Sequence, residues 1–149
     1  MKTIVYIVFV ILFHSCNSLE TEPTVSFSIQ TENASYLVLN KLSVKISFKN
    51  RLGKEINIHN SGCFFPAFII ERLEAGQWEY LGGPVCTAIA VPPTRLAHEE
   101  QYESIVSMYV ENNIVTGTYR MKFDIREPDS NTLIESFYLY SNTFQIIKQ

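Results

Sequence analysis

The side chains best suited to chemistry in this chain are its three cysteines and three histidines. Cys63 and Cys86 could join His59 and His98 as two thiolates and two imidazoles, a donor set that zinc accepts. The spacing argues against such a site, because the chain has no Cys-x-x-Cys and no histidine pair at helix or strand spacing. We therefore expect no metal site and no cofactor, and we expect both histidines to be exposed loop residues.

A nucleophilic cysteine with a histidine as its base would make the protein an enzyme. That chemistry needs a free thiol and a positioned acid, and no catalytic signature surrounds Cys63 or Cys86. The adjacent carboxylates of Glu99 and Glu100 lie in a predicted turn, where a solvated acidic loop is the simpler interpretation. The sequence also contains no Gly-rich phosphate loop, no Gly-x-Ser-x-Gly and no His-Glu-x-x-His. We therefore expect a protein that is not an enzyme.

The chain begins with the three-part pattern of a secretory signal. Lys2 is followed by an unbroken apolar run from Ile4 to Phe13, and Ser15 then precedes Cys16. As a helix this run would rise only about 15 Å, which is about half the hydrocarbon thickness of a bilayer. The run is too short to remain as a spanning helix, so the sequence predicts an exported protein.

In an oxidising compartment the two downstream cysteines, Cys63 and Cys86, most naturally pair as a disulfide. Each lies near glycine and proline, and therefore in a predicted loop at a strand end. The bond would close the chain around a predicted hairpin at residues 68–81, which contributes about 3 kcal/mol in the chain-entropy model. This pairing would leave Cys16 free for another role.

The sequence that surrounds these residues predicts short β-strands, each with one buried and one solvated face. Residues 25–29 and 42–48 alternate between apolar and polar side chains, and residues 118–125 repeat the pattern strictly. Residues 102–110 are also predicted to form a strand. No window in the mature chain repeats apolar positions at helical spacing. About seven to nine strands separated by turn signals predict an all-β, antiparallel sandwich.

Turn residues predict how some of these strands connect. Gly53 predicts a tight turn that returns the second strand directly into residues 56–58. Ala75 and Gly76 predict a short hairpin. Residues 86–96 are expected to form a long apolar loop between strands.

The charge composition of the chain limits the classes of molecule that it is expected to bind. The net charge is −3 and the chain has no basic cluster. Mild acidity of this kind argues against nucleic acid and against electrostatic binding to anionic lipid. Any attachment to a membrane would therefore have to come from acyl chains.

The sequence LFHSC at residues 12–16 resembles the end of a bacterial lipoprotein signal. In that family the chain is cut before the cysteine, which then carries acyl chains. The resemblance implies a signal peptide at residues 1–15, a lipidated tether at residues 16–24 and one domain at residues 25–149. It also implies a cell-envelope location, with the outer membrane favoured because no aspartate follows Cys16. The alternative is an ordinary cleaved signal, with the cysteine either removed or paired.

The sequence GTYRMKFDI at residues 117–125 resembles the tyrosine-corner strand of immunoglobulin-like domains. The preceding LAHEEQYESIV at residues 96–106 resembles the turn and strand that lie upstream in such domains. The resemblance implies an immunoglobulin-like β-sandwich and assigns the tyrosine-corner role to Tyr119, whose hydroxyl would bond to the backbone. It implies fold and not function.

The remaining candidate site is a surface. Phe64 and Phe65 lie beside a proline, and Ile89 and Val91 lie in the predicted apolar loop. If the disulfide forms, these residues come together at one end of the sandwich as a contact surface for a protein partner. The alternative is that they fold back and cover the core.

We therefore expect a non-enzymatic binding or accessory module that is anchored to a membrane by its N-terminal lipid. Small all-β domains of similar layout include the bacterial intracellular proteinase inhibitors. That resemblance implies an alternative function, in which the loops form the inhibitory wedge of a protease-inhibitor-like β domain.

Overall fold

The computed structural model describes residues 27–60, 62, 66–83, 91–109, 114–130, 132–134 and 139–149. Within these ranges the regular secondary structure consists of β-strands, and no helix among these residues is long and apolar enough to cross a membrane. The strands are β1 (Phe27–Thr31), β2 (Ser35–Val38), β3 (Lys41–Asn50), β4 (Ile56–Ile58), β5 (Phe68–Glu74), β6 (Gln77–Gly82), β7 (Thr94–Leu96), β8 (Gln101–Tyr109), β9 (Gly117–Phe123), β10 (Ile125–Arg126) and β11 (Phe144–Lys148).

The all-β class predicted from the alternating pattern is confirmed. The number of strands exceeds the predicted seven to nine because the chain contains several short strands that are too brief to show alternation of their own. β4 and β7 have three residues each, and β10 has two.

The strands form three sheets. A three-stranded sheet has the order β1-β3-β8, and a five-stranded sheet has the order β2-β11-β9-β5-β6. Neighbouring strands are antiparallel, except that β2 runs parallel to β11. A small third sheet, β10-β4-β7, is built from strands that come directly before or after strands of the two large sheets.

The hydrophobic core lies between the two large sheets. In β3 the alternating residues Leu42, Val44, Ile46 and Phe48 are all buried, and β9 buries Tyr119, Met121 and Phe123 in the same way. The two sets meet where the rings of Phe48 and Phe123 pack edge to face, with their centroids 5.1 Å apart. Alternation in the sequence therefore correctly predicts the buried face of both strands.

The predicted hairpin at Ala75 and Gly76 is confirmed. Both residues have a positive φ, 48° and 82°, and they join β5 to β6 in an antiparallel pair. Two consecutive left-handed residues give the turn a twist that matches the twist of the flanking strands, and glycine takes this conformation without steric cost.

The predicted return of β3 into residues 56–58 is wrong. β4 pairs with β7 and β10 and not with β3. The cause is Asn50, which is fully buried at the end of β3. Its side-chain amide donates hydrogen bonds to the backbone carbonyls of Lys54, Leu96 and Ala97. These bonds hold the turn after β3 against the turn before β8, so the chain passes into the small sheet.

The predicted long loop at residues 86–96 is also partly wrong. Its last three residues form β7, in which Leu96 is buried and pairs with Ile56. Three residues that follow two prolines carry too little pattern to be recognised as a strand from sequence.

Candidate functional site

The chain segments next to two predicted loops lie beside each other at one end of the molecule. Ile58 at the end of β4 is paired with Thr94 at the start of β7. Just beyond them, the side-chain amide of Asn60 donates a hydrogen bond to the carbonyl of Pro92. Val91, one of the predicted contact residues, is 40% exposed here. The segment after β4 and the segment before β7 therefore converge.

The other residues predicted to form the lipid anchor, the disulfide and the contact surface lie outside the described part of the chain. They are Cys16, Cys63, Phe64, Phe65, Cys86 and Ile89. The lipid anchor, the disulfide and the full contact surface stay predictions.

The two candidate histidines have different environments. His98 is exposed in the turn before β8, where its Nδ1 accepts a hydrogen bond of 3.0 Å from the amide of Gly53. His59 is partly buried, and its Nε2 has no hydrogen-bond partner among the described residues. The expected exposed position is thus wrong for His59, because its backbone continues the strand with bonds to Asp124 and Ala67. Within the described ranges, no group of three histidine, cysteine or acidic side chains could hold a metal ion.

Tyr119 is fully buried near the start of β9. Its hydroxyl donates a hydrogen bond of 2.6 Å to the carbonyl of Val115 and accepts one of 3.1 Å from the amide of the same residue. The buried hydroxyl is therefore satisfied by the backbone four residues upstream, and it fixes the entry into β9.

A groove of about 300 Å³ opens beside β5 and β9. Ile69 and Lys122 are direct neighbours across these strands. They point away from the core, because the adjacent Phe68 and Phe123 are buried in it. The groove is lined by Ala67, Phe68, Ile69, Lys122, Phe123, Asp124, Arg126, Leu133 and Leu139.

The charges of the groove are unequally compensated. Arg126 donates two hydrogen bonds to the Asp124 carboxylate, from Nε at 2.8 Å and from Nη2 at 3.0 Å. These bonds raise the pKa of Arg126 above its ordinary value, so the pair is held as an ion pair. Lys122 forms no ion pair with any described residue, and its Nζ lies 5.4 Å from the ring centroid of Tyr140. Among the described residues that line the groove, Lys122 is therefore the charged side chain without an ion-pair partner.

A row of aromatic and cationic side chains, Trp78, Arg120, Tyr140 and Lys122, leads along the sheet to this groove. The Arg120 guanidinium packs against two rings, 4.2 Å from the centroid of Trp78 and 3.8 Å from that of Tyr140. Its Nε and Nη2 both lie 2.7 Å from one carboxylate oxygen of Glu71. We call these four residues the aromatic–cation row.

The sequence singles out none of the charged members of this row. Arg120 and Lys122 occupy the outward positions in the alternating pattern of β9, which is a usable signal for surface residues. Tyr140 carries no such signal, because it joins β9 only through an isolated bridge to Lys122. The row depends on that long-range contact.

No family model matches the chain, and no curated protein matches it in sequence. Among solved structures, the structural-genomics target SoR45 is similar with a TM-score of 0.50 at 11% identity, over 83% of this chain and 88% of that one. This similarity concerns the fold alone.

Two enzymes are also matched, with lower TM-scores. The alkylpurine DNA glycosylase AlkC of Pseudomonas fluorescens, bound to DNA with an abasic site analog, has a TM-score of 0.42 at 7% identity, over 82% of this chain but 30% of its own. This chain thus spans less than a third of the glycosylase. AvmM, which catalyses macrocyclisation in alchivemycin A biosynthesis, has a TM-score of 0.36 at 11% identity, over 83% and 88% of the two chains.

Proposed function

We propose that this protein is an exported lipoprotein, anchored through acylated Cys16, whose immunoglobulin-like β-sandwich is a non-enzymatic binding module. Its contact surface consists of loops at one end of the sandwich, with Phe64, Phe65, Ile89 and Val91 as the contact residues. The observation that carries the proposal is the convergence of the two segments that lead into these loops, at Ile58–Thr94 and at the bond between Asn60 and Pro92.

The order of strands supports the immunoglobulin-like assignment. In such domains strands A, B and E share one sheet, while G, F, C and C′ are neighbours in the other. The order β1-β3-β8 corresponds to the first set and β11-β9-β5-β6 to the second. The hydrogen bonds between Tyr119 and Val115 have the short upstream reach of a tyrosine corner.

The position of the first residue of β1 supports the proposal that the binding partner is located at the membrane. Phe27 is paired with Asn50, whose side chain bonds to Leu96 in the strand that pairs with β4. The proposed tether therefore enters the domain near the β4–β7 pair that leads into the loops. Residues 16–26 can span at most about 40 Å, which keeps the loops of an anchored molecule close to the bilayer. A partner embedded in the same membrane, or bound to it, is within their reach.

Two measurements test this function. Mass spectrometry of the mature protein is expected to find an acylated N-terminus at Cys16, and an unacylated N-terminus elsewhere would contradict the anchor. A photo-crosslinking side chain at Val91 is expected to form an adduct in membranes. The same group at Tyr109, which is 78% exposed at the opposite end of β8, should form none.

The variants Val91→Asp and Phe65→Asp separate binding from folding. Each is expected to abolish the partner interaction without changing the midpoint of unfolding. Unchanged binding in both variants would refute the loop surface. If the purified protein instead slows an extracellular protease at stoichiometric concentration, the protease-inhibitor function replaces this one.

A further inference from the structure

We propose that the groove beside β5 and β9 is a binding site for a small amphiphilic anion, a short aliphatic carboxylate whose chain lies in the groove and whose carboxylate pairs with Lys122. This site does not depend on the function proposed for the loops.

The size of the groove fits such a ligand. Its volume of about 300 Å³ is at the lower end of the range for small-molecule sites. Because a water molecule occupies about 30 Å³ in the liquid, the space corresponds to roughly ten non-hydrogen atoms. Octanoate has about this number of atoms.

The walls of the groove are apolar and held in place by the backbone. Ala67, Ile69, Leu133 and Leu139 supply aliphatic surface. Leu133 is 50% exposed, yet its backbone forms a bridge to Arg126, and the amide of the next residue donates to the carbonyl of Ile125 at 3.1 Å. A wall fixed in this way binds an aliphatic chain with little loss of conformational entropy.

The charge of the groove favours a monoanion. Among the described lining residues, two hydrogen bonds join Arg126 to Asp124, and the Lys122 ammonium is the charge without an ion-pair partner. Lys122 is partly buried against the ring of Tyr140, and an ammonium in such a position gains more from an anion than one in open water. One ammonium matches one negative charge, which is why we infer a carboxylate and not a doubly charged phosphate.

The aromatic–cation row supplies a built-in reporter of binding. Trp78 is the only tryptophan of the chain. It contacts Arg120, which contacts Tyr140, and Lys122 lies over the same tyrosine ring. An anion that draws the Lys122 ammonium toward itself removes one cation from the Tyr140 ring. Because Arg120 contacts both that ring and Trp78, we expect the emission of Trp78 to change.

The test is a titration of the purified full chain with octanoate, followed by tryptophan emission and by calorimetry. The wild-type protein is expected to show saturable binding, and Lys122→Met should weaken it about tenfold or more, because a charge-assisted hydrogen bond is lost while the aliphatic stem remains. Leu133→Ser should also weaken it. Lys148→Met is the matched control, since Lys148 is an exposed lysine of the same sheet outside the groove.

Four outcomes would overturn the proposal. They are no saturable heat with octanoate, equal weakening by Lys122→Met and Lys148→Met, equal binding of neutral octanamide, and tighter binding of octyl phosphate. Calorimetry decides the question even if the emission of Trp78 is unchanged, because it does not depend on the reporter. Circular dichroism of each variant verifies that the fold is retained.

Discussion

Two ion pairs, one on the outer face of each large sheet, show how differently the two faces are built. On the five-stranded sheet Glu71 pairs with Arg120, and the two side chains are only 12% and 20% exposed. On the three-stranded sheet Lys45 pairs with Glu103 at 3.2 Å, and the side chains are 41% and 50% exposed. Both pairs join neighbouring strands, so strand pairing alone does not explain the difference.

The difference comes from the aromatic rings. The rings of Trp78 and Tyr140 both pack against the Arg120 guanidinium, and this side chain is only 20% exposed. Two charges that are shielded from water attract each other strongly, but a shielded charge that loses its partner destabilises the fold. Exposed charges such as those of Lys45 and Glu103 are screened by water and salt, and pairs of this kind contribute little. The outer face of the five-stranded sheet therefore carries a partly buried ion pair packed against aromatic rings, and the other face carries a solvated one.

Removing the buried cation should have the largest effect. Arg120→Met leaves the Glu71 carboxylate largely buried without its partner, and we expect a loss of about 3 kcal/mol in the free energy of unfolding. Urea denaturation measures this loss. The matched control is Lys45→Met on the other sheet, and equal losses in the two variants would show that the two faces do not differ in the way proposed.

Removing one ring should have a smaller effect. Trp78→Leu keeps the ion pair but takes away one cation–π contact, and we expect a loss of about 1 kcal/mol beyond the effect of apolar burial. Tyr80→Leu provides the control, because Tyr80 is on the same strand and is 67% exposed. A double-mutant cycle with Arg120→Met isolates the contact between the ring and the guanidinium. A coupling energy near zero would contradict the role of the ring.

Removing the exposed cation should have the smallest effect. The hydrogen bond to Glu103, with the charges of Glu103 and Glu32, raises the pKa of Lys45 above its ordinary value of 10.5. A raised pKa means that the stabilisation is present below pH 10.5 and is lost as the pH rises through the higher value of the folded state. The stability difference between wild type and Lys45→Met should therefore shrink at alkaline pH and in high salt. A difference that persists in 1 M salt would show that the pair is not screened.

The strands that bury the core could be predicted from the sequence, and much of the candidate site could not. The alternation at Leu42 to Phe48 and at Tyr119 to Ile125 identified two core strands and their inner faces. The destination of the chain after Asn50 was not predictable, because the amide bonds to carbonyls more than forty residues away. Of the loop surface, the structure describes Val91 and the adjacent segments.

The sequence by itself determined the all-β class, the inner faces of the long strands and the hairpin at Ala75 and Gly76, because these follow from periodicity and turn conformation within a few residues. Only the tertiary structure decided that Asn60 meets Pro92, that Tyr140 contacts Arg120 and that Lys122, which has no ion-pair partner among the described residues, borders a groove. These features join residues that are distant along the chain. The local alternation of apolar and polar residues predicts which face of a strand is buried. It does not predict which other strand or loop covers the opposite face.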